Sequence, residues 1–578
     1  MTHQHQSIAI LCLDGYVSMY AETLRQITWL LKKEKLQHHV IGCNRALSTC
    51  TSINSLGKTK LNPIQKESIC CKCINSQRQL HSDSPIFDIS KRVNPEQELF
   101  VDAISSTLFA QRTLQSVINM PYQSINLCQI AFFDFSIKNK VSQTSNLDNE
   151  QIQDFLGGLR DLFSIKSNLD SFLKSHPVTA FIYINGNYSQ NTFVREYTKN
   201  KNILCWSVEP QLFTQSLFNK ITFKINRLEL EQEALFAVKE MTARFNKDDI
   251  KRVLHNFQSR INGAEYNAYT NLDNTLLAKT EVSELVGFLK EYKKVHSYFL
   301  SSEDELTPHI TTHNLTTNGS IESRFSSQFE FTEYFIKQAH NAPEIGFIVR
   351  LHPRMAVNKR DSFESEEHKK YKHFLSNQLI PKNLMIILGD SKISSYYLAS
   401  KSTLVIVSWS TFGIESLLMG VPVVSAFPKY LMYPLEQFVA HPTTIEALTA
   451  CIFSGTTPPK IDDLKLIYWT TNAYESQFQT ILTFRNSGGF KTLFRRGFNL
   501  VFNNNYTYPV ASSVFNKVFK SSNALLKLSP MGNKTQPNST LRGNSDLSHL
   551  QKYREKTRKT LDKYSDNLKK SLQAEKLD

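Results

Sequence analysis

The 578-residue sequence lacks a long hydrophobic run. Its most apolar window, residues 404–427, is interrupted by Ser408, Ser410, Glu415 and Pro422. A membrane-spanning helix needs about 20 consecutive, predominantly apolar residues. The N-terminal residues also lack the basic start and the apolar segment of a secretory signal peptide. We therefore expect a cytoplasmic protein without a transmembrane helix.

Two further motifs are missing. No GxGxxG follows the first apolar run at residues 7–13, so the sequence gives no support for a dinucleotide cofactor. No recognised nucleic-acid-binding motif accompanies the net charge of +15, and we expect no nucleic-acid partner. With 41% apolar and 21% charged residues, the composition is that of a folded globular protein, and the length predicts at least two domains.

The positive charge is concentrated at the C-terminal end. Residues 481–578 contain 18 Lys and Arg against 6 Asp and Glu. Within them, residues 490–528 interleave Phe and Leu with Lys and Arg at helical spacing. Such a helix fits an anionic membrane surface, which would place the protein on the inner face of the plasma membrane. It equally fits packing on the protein core with the lysines in water.

The pattern along the chain predicts an α/β protein with two Rossmann-like domains, because apolar runs of strand length alternate with helical periods in two regions. The predicted organisation is an N-terminal domain at 1–226, a helical linker at 227–290, and a second domain at 291–485. A basic amphipathic and flexible tail with a terminal helix is predicted at 486–578.

Five of the nine cysteines fall in a polar insert after the second predicted strand. Disulfides are not expected in the cytosol. Cys70 and Cys73 form a CxxC motif, and Cys43 and Cys50 would complete a four-thiolate structural zinc site, although their separation is wider than usual. Scattered reduced thiols or a redox pair are the alternatives.

Five segments between residues 295 and 434 follow one another in an order that resembles bacterial capsular polysaccharide biosynthesis proteins of the GT-B glycosyltransferase type. The resemblance covers about 140 residues and implies two Rossmann-like domains facing a cleft, with catalysis that requires no metal or other cofactor. The segments are SSEDEL (301–306), RLHPR (350–354), DSKISSYYLASKS (390–402), SWSTFGIESLLMGVPVV (408–424) and Tyr430.

The segment 408–419 predicts a strand end that passes directly into a helix. Ser410 and Thr411 would lie at the helix N-terminus, where N–H groups and the helix dipole favour a phosphate. The same residues also fit a simple N-cap with an acidic first turn. The resemblance implies that Ser410, Thr411, Gly413 and Glu415 bind the sugar donor, with Glu415 on the ribose hydroxyls.

Three basic residues alternate at the end of the apolar strand GFIV. Arg350, His352 and Arg354 are predicted to face one side, at the carboxyl edge where open α/β sheets bind ligands. The resemblance implies that all three contact the donor and that His352 offsets the charge on the departing nucleotide.

The acceptor hydroxyl needs a catalytic base, and two acids are candidates. Asp14 follows the first strand, and Glu209 follows the strand ILCWSV. Acids at strand ends and Asp-Gly turns are also common without any chemistry. Asn185 and Gly186 are followed by Asn187 where such relatives often carry arginine, so no role is assigned to this loop.

The resemblance implies transfer of a sugar from a nucleotide-sugar donor to a capsular or lipopolysaccharide-type glycan, which would be free or lipid-linked. A CDP-glycerol or CDP-ribitol phosphotransferase and a nucleotide-sugar epimerase are alternatives with the same fold. A non-catalytic polysaccharide assembly or export protein is the alternative from another class. The fold alone does not separate these functions.

Overall fold

The computed structural model describes two compact units. The first comprises the described parts of 1–139, 143–230 and 478–535, and the second those of 140–142, 231–477 and 536–578. The described residues are 543–573 together with 7–483 apart from 34, 51–52, 54–61, 200, 211–219, 225–246, 263–278, 314–324, 358–362, 429–430, 432, 455–456 and 476–479.

Helices and strands alternate along most of the described chain. Up to residue 224 the elements are β1 (Ser7–Cys12), α1 (Ser18–Lys33), β2 (Gln37–Cys43), α2 (Pro63–Leu80), β3 (Ile86–Ile89), α3 (Pro95–Gln111), α4 (Leu127–Asn139), α5 (Asn149–Ser175), β4 (Ala180–Ile184), α6 (Ser189–Lys199), β5 (Leu204–Pro210) and β6 (Lys220–Lys224).

The elements that follow are α7 (Lys247–Ile261), α8 (Lys279–Glu291), β7 (Val295–Phe299), α9 (Glu303–His313), α10 (Gln328–Ala339), β8 (Gly346–Arg350), α11 (Glu366–Ser376), β9 (Leu384–Ile387), α12 (Ser395–Lys401), β10 (Leu404–Val407), α13 (Phe412–Met419), β11 (Val423–Ser425), α14 (Leu435–Phe438), α15 (Ile445–Phe453), α16 (Asp463–Glu475), β12 (Thr480–Thr483) and α17 (Gly543–Gln573).

The sheet of the first unit has the order β12-β6-β5-β4-β1-β2-β3. Strands β1 to β5 pair in parallel, and β6 and β12 add two antiparallel strands at one edge. Every residue of β1 is buried, as expected for a central parallel strand covered by helices on both faces.

The sheet of the second unit is entirely parallel, with the order β11-β10-β7-β8-β9. Side chains of β10 alternate between two hydrophobic clusters: Leu404 and Ile406 belong to one, and Val405 and Val407 to the other. Because successive strand residues point to opposite faces, both faces of this sheet are covered by apolar side chains.

Both sheets share one topology that confirms the predicted fold class, an α/β protein with two Rossmann-like domains. In each, the parallel strands taken in chain order lie as 3-2-1-4-5. The strand order therefore reverses between β1 and β4 in the first unit and between β7 and β10 in the second. Ligands of open α/β sheets bind beyond the carboxyl ends of strands at such switch points.

The second unit contains helices that the sequence placed in a linker and a tail. Helices α7 and α8 belong to its core, and so does α17, through Leu550, Tyr553 and Tyr564. The amphipathic stretch 490–528 and Tyr430 lie outside the described residues. Among the helices that the structure describes, none combines the length and apolarity needed to cross a membrane.

Candidate functional site

The switch point of the second unit brings two serine-containing loops together. The backbone N–H of Trp409 points to Ser301 Oγ at 3.5 Å, and the hydroxyls of Tyr298 and Ser408 lie 2.9 Å apart. The loop after β7 enters α9, and the loop after β10 enters α13. The sequence prediction that residues 408–411 connect a strand end to a helix start therefore matches the structure.

The two predicted hydroxyl residues lie directly before helix α13, and their side chains do different things there. Ser410 Oγ accepts a hydrogen bond from the Phe412 N–H at 3.1 Å, and the Ser410 carbonyl accepts one from the Gly413 N–H at 3.2 Å. Thr411 is the N-cap residue, is exposed, and makes no side-chain capping bond. Ser410 thus satisfies the first turn of the helix, and Thr411 presents its hydroxyl at the helix N-terminus.

Gly413 is required sterically, which gives a first prediction. A Cβ at this position would overlap the hydroxyl of the buried Tyr433. We expect Gly413→Ala to destabilise the second unit by about 1–3 kcal/mol, the usual cost of overpacking a core. Chemical denaturation measures the change.

The matched control for this substitution is Gly287→Ala on helix α8. Apart from its chain neighbours and the backbone of its own helix, no atom lies within 4 Å of a Cβ added at Gly287. Since alanine is the better helix former, this variant should be as stable as the wild type or more so. Equal stability of the Gly413→Ala and wild-type proteins would contradict the close approach of Tyr433.

Glu415 has both carboxylate oxygens engaged. Oε1 forms an ion pair with Arg260 of α7 at 3.0 Å, and Oε2 accepts a hydrogen bond from the Tyr396 hydroxyl at 2.5 Å. Burial, followed by the charge of Glu415, raises the pKa of Tyr396 well above its usual value. Glu415 therefore ties α13 to α7 and α12, and its contact with a ribose stays a prediction.

Arg350 is engaged with main-chain carbonyls, and its predicted contact with a phosphate stays a prediction. Its side chain is fully buried, and the guanidinium donates to the carbonyls of Leu388 and Ser391, the latter at 3.0 Å. Burial lowers its pKa to about 10. Strand β8 ends at Arg350 and the chain then turns, with the Met355 N–H donating to the His352 carbonyl. The alternation of side chains between the two faces of a strand therefore does not continue through residues 350–354.

Arg354 is held in a buried ion pair. Its Nη2 lies 2.8 Å from Asp304 Oδ2, and the two side chains are 5% and 3% exposed. Asp304 also accepts a hydrogen bond from the Ser302 hydroxyl. The pair joins the turn after β8 to the first turn of α9, so Arg354 is part of the framework around the switch point.

His352 lies half-buried in this turn with its ring orientation set by the backbone. The Arg354 N–H donates to His352 Nδ1 at 3.2 Å. Burial and the positive charges of Arg354, Arg350 and Lys140 lower the pKa of His352 to about 3. The ring is therefore neutral near pH 7 and, because Nδ1 accepts, carries its proton on Nε2.

Lys140 supports the same turn and carried no signal in the sequence. Its buried Nζ donates to the carbonyls of Arg354, Ala356 and Phe363 at 2.8–3.1 Å. Although it directly follows α4, Lys140 belongs to the second unit. A lysine more than 200 residues away in sequence thus helps to fix the loop that carries His352.

Arg554 of α17 holds the other end of α13. Its Nε and Nη2 donate to the carbonyls of Leu418 and Leu417, at 3.0 and 3.1 Å, and its guanidinium pairs with both carboxylate oxygens of Asp463 at 2.6 Å. A cation at a helix C-terminus satisfies carbonyls that have no partner in the helix. The C-terminal helix is thereby linked to the element that carries Thr411.

The two predicted bases occupy different settings in the first unit. Asp14 is buried beyond the carboxyl end of β1, at the switch point, where its carbonyl accepts the Val17 N–H before α1. Glu209 does not follow its strand but lies within β5, opposite Thr222 of β6, and its side chain lies outside what the structure describes.

In the described part of the chain, the four predicted zinc ligands are not gathered into one cluster. Among the described residues, no group of three or more His, Cys, Asp or Glu could hold a metal ion. Cys43, Cys50, Cys70 and Cys73 form no disulfide. Burial raises the pKa values of Cys43, Cys50 and Cys70 above that of an ordinary thiol. The structural zinc therefore stays a prediction, beside the alternatives of reduced thiols and a redox pair.

Comparisons with known proteins give only distant similarities. No family model and no curated protein matches the chain. A KpsC beta Kdo 2,4 transferase from Thermosulfurimonas dismutans is 11% identical, covering 52% of this chain and 93% of its own, with a TM-score of 0.28. A UDP-GlcNAc 2-epimerase from Methanocaldococcus jannaschii is 12% identical, covering 79% and 94%, with a TM-score of 0.26. The glycosyltransferase SsfS6 from Streptomyces sp. SF2575 is 7% identical, covering 73% and 81%, with a TM-score of 0.18. At these values the similarities do not assign a family.

Proposed function

We propose that the protein is a glycosyltransferase that binds a nucleotide-activated sugar at the switch point of its second unit. The observation that carries the proposal is the position of His352 in the turn after β8, the strand next to β7, where the Arg354 N–H donates to its Nδ1 and leaves Nε2 to act as a donor. A neutral hydrogen-bond donor in this position suits a phosphate oxygen on which negative charge develops as the sugar is transferred.

In the proposal, other groups at the carboxyl edge of this sheet complete a binding site for the diphosphate of the sugar donor. The N-terminus of α13 contributes its dipole, and the exposed Thr411 hydroxyl contributes a hydrogen bond. The Arg354–Asp304 pair and Lys140 would hold the His352 turn in place before the donor binds. Such preorganisation is the main source of electrostatic catalysis.

In the proposed reaction, the bond between the anomeric carbon and the phosphate oxygen breaks as the sugar passes to a hydroxyl of a surface glycan. His352 Nε2–H would stabilise the negative charge on the departing nucleotide by a hydrogen bond. Because its pKa is about 3, His352 would act as a hydrogen-bond donor and would not become charged at neutral pH. The glycan acceptor would be free or lipid-linked.

A donor screen tests the proposal. We expect one class among UDP-, GDP-, CMP- and CDP-linked donors to raise the melting temperature of the purified protein. A ligand at 100 times its dissociation constant stabilises the folded state by about 2.7 kcal/mol. Thr411→Val should reduce the shift only partly, since the helix N-terminus still attracts the phosphate.

The product released from that donor separates the candidate functions. A glycosyltransferase releases the nucleotide with its full phosphate chain, a CDP-glycerol-type phosphotransferase releases CMP, and an epimerase releases no nucleotide. A wild-type protein that is stabilised by none of the donors would contradict the proposal and favour a non-catalytic assembly role.

A further inference from the structure

A partly exposed tryptophan lies at the switch point of the second unit. Trp409 is the second residue after β10 and directly precedes Ser410 and Thr411, at the carboxyl edge where open α/β sheets bind ligands. Its backbone N–H points to Ser301 Oγ in the loop after β7, so it lies beside the middle of the sheet. Ligand pockets are lined mostly by apolar and aromatic side chains, so a partly exposed indole at this edge is a candidate ligand contact.

The backbone on both sides of Trp409 is fixed by hydrogen bonds. The Ser408 carbonyl accepts a hydrogen bond from the Ser425 hydroxyl at 2.9 Å, which ties the end of β10 to β11. On the other side, Ser410 Oγ accepts a hydrogen bond from the Phe412 N–H at 3.1 Å. The main-chain position of the tryptophan is therefore set before any ligand binds.

The indole ring of Trp409 has one aromatic neighbour among the described residues. It meets the ring of the buried Phe427, after β11, edge to face at 6.2 Å, and its N–H makes no hydrogen bond in the described part of the chain. Phe412, the next aromatic residue, instead packs against Phe299 at 4.6 Å and Tyr396 at 5.6 Å. Phe412 thus belongs to the core, whereas Trp409 keeps ring surface and a hydrogen-bond donor for a ligand.

The strand order places Trp409 on the side of the candidate site away from His352. The strands lie as β11-β10-β7-β8-β9, with His352 beyond β8 and Trp409 beyond β10, and the indole contacts Phe427 beyond β11. In the proposed reaction, His352 contacts the phosphate oxygen that is bonded to the sugar, and the N-terminus of α13 holds the diphosphate. The nucleoside end of the donor then lies on the side of β10 and β11, where the indole is.

We propose that the indole of Trp409 is the surface on which the nucleobase of the donor stacks. The inference rests on the proposed function and names the part of the donor that this side chain binds. The ligand class is a nucleoside diphosphate, because every nucleobase has a flat π face that can stack on an aromatic ring. No bond forms or breaks at Trp409, so the residue stabilises the bound ground state and the transition state alike.

The first test measures binding by isothermal titration calorimetry, with the nucleotide that belongs to the donor stabilising the wild type. We expect Trp409→Leu to weaken its binding about 5- to 150-fold, because one stacked base typically contributes that much. Trp409→Phe keeps an aromatic face and should lose much less. Inorganic pyrophosphate, which has no base, should bind alike to the wild type and to Trp409→Leu. The control is Trp29→Leu, at an exposed position on α1, which should bind the nucleotide like the wild type.

The second test reads the stacking directly. A base stacked on an indole quenches its fluorescence, so saturating nucleotide should lower the emission of the wild type and of Trp29→Phe, and this decrease should be smaller or absent in Trp409→Phe. In steady-state kinetics, Trp409→Leu should raise KM for the donor with little change in kcat, as expected for a contact made equally in ground and transition states.

A Trp409→Leu variant that binds the nucleotide like the wild type would overturn the inference and leave the proposed donor site standing. Equal losses for pyrophosphate and nucleotide would also overturn it, because Trp409 would then only pack the helix start. A loss confined to the nucleotide sugar, with the nucleotide unaffected, would place the sugar on the indole and is equally a contradiction. If the wild type binds no nucleotide at all, the proposed function fails, and the inference fails with it.

Discussion

Replacing His352 with alanine should lower turnover about 100-fold while weakening donor binding much less. The imidazole Nε2–H is proposed to meet charge that appears as the nucleotide leaves, so its loss raises the barrier more than it affects the bound ground state. A loss of this size equals about 2.7 kcal/mol of transition-state stabilisation. Steady-state kinetics with the donor identified by thermal shift gives kcat and KM separately.

Two further variants sharpen the test of His352. In His352→Gln, the side-chain amide can still donate a hydrogen bond, so part of the lost turnover should return. His340→Ala removes an exposed imidazole that contacts only the Leu379 carbonyl in the described contacts, and it should leave kcat unchanged. If His352→Ala folds, binds donor and turns over like the wild type, the proposed donor site is wrong.

Breaking the Arg354–Asp304 pair should cost about 3–5 kcal/mol of folding free energy. Both side chains are nearly fully buried, so Arg354→Met leaves the Asp304 charge in a poorly solvated place. We expect Arg354→Met to show this loss in urea denaturation and Asp304→Asn to show a smaller one, because Arg354 keeps a second partner in Glu305 at 3.3 Å. The double variant should lose less than the sum of the two, because no uncompensated charge then remains in the ion pair.

The exposed pair Lys369–Glu366 on α11 provides the comparison for this result. Its side chains are 55% and 46% exposed, and such pairs contribute about 0–1 kcal/mol. Additive losses in the Arg354 and Asp304 variants, or losses as small as those at Lys369 and Glu366, would show that the buried pair does not hold the turn after β8.

Local patterns in the sequence were sufficient to predict the architecture and the helix start in the candidate site. Apolar runs such as GFIV and LVIV predicted parallel strands because buried strands need apolar side chains on both faces. The polar residues after LVIV predicted a helix start, and Ser410 and Thr411 lie there. These features depend on interactions within a few residues, which the order of amino acids specifies directly.

The same sequence patterns did not predict which groups the charged residues contact. Arg350 and Arg354 were predicted to bind phosphate, but one binds main-chain carbonyls and the other pairs with Asp304. Which group neutralises a buried charge depends on what segment packs beside it, and spacing along the chain carries no information about that. The same holds for Arg260 beside Glu415.

The sequence by itself therefore determined the two Rossmann-like domains and the helix start that carries Thr411, because hydrophobic periodicity and polar strand ends are local. Only the tertiary structure decided that Lys140 and Arg554 support the His352 turn and α13, since each reaches its partner from a distant segment.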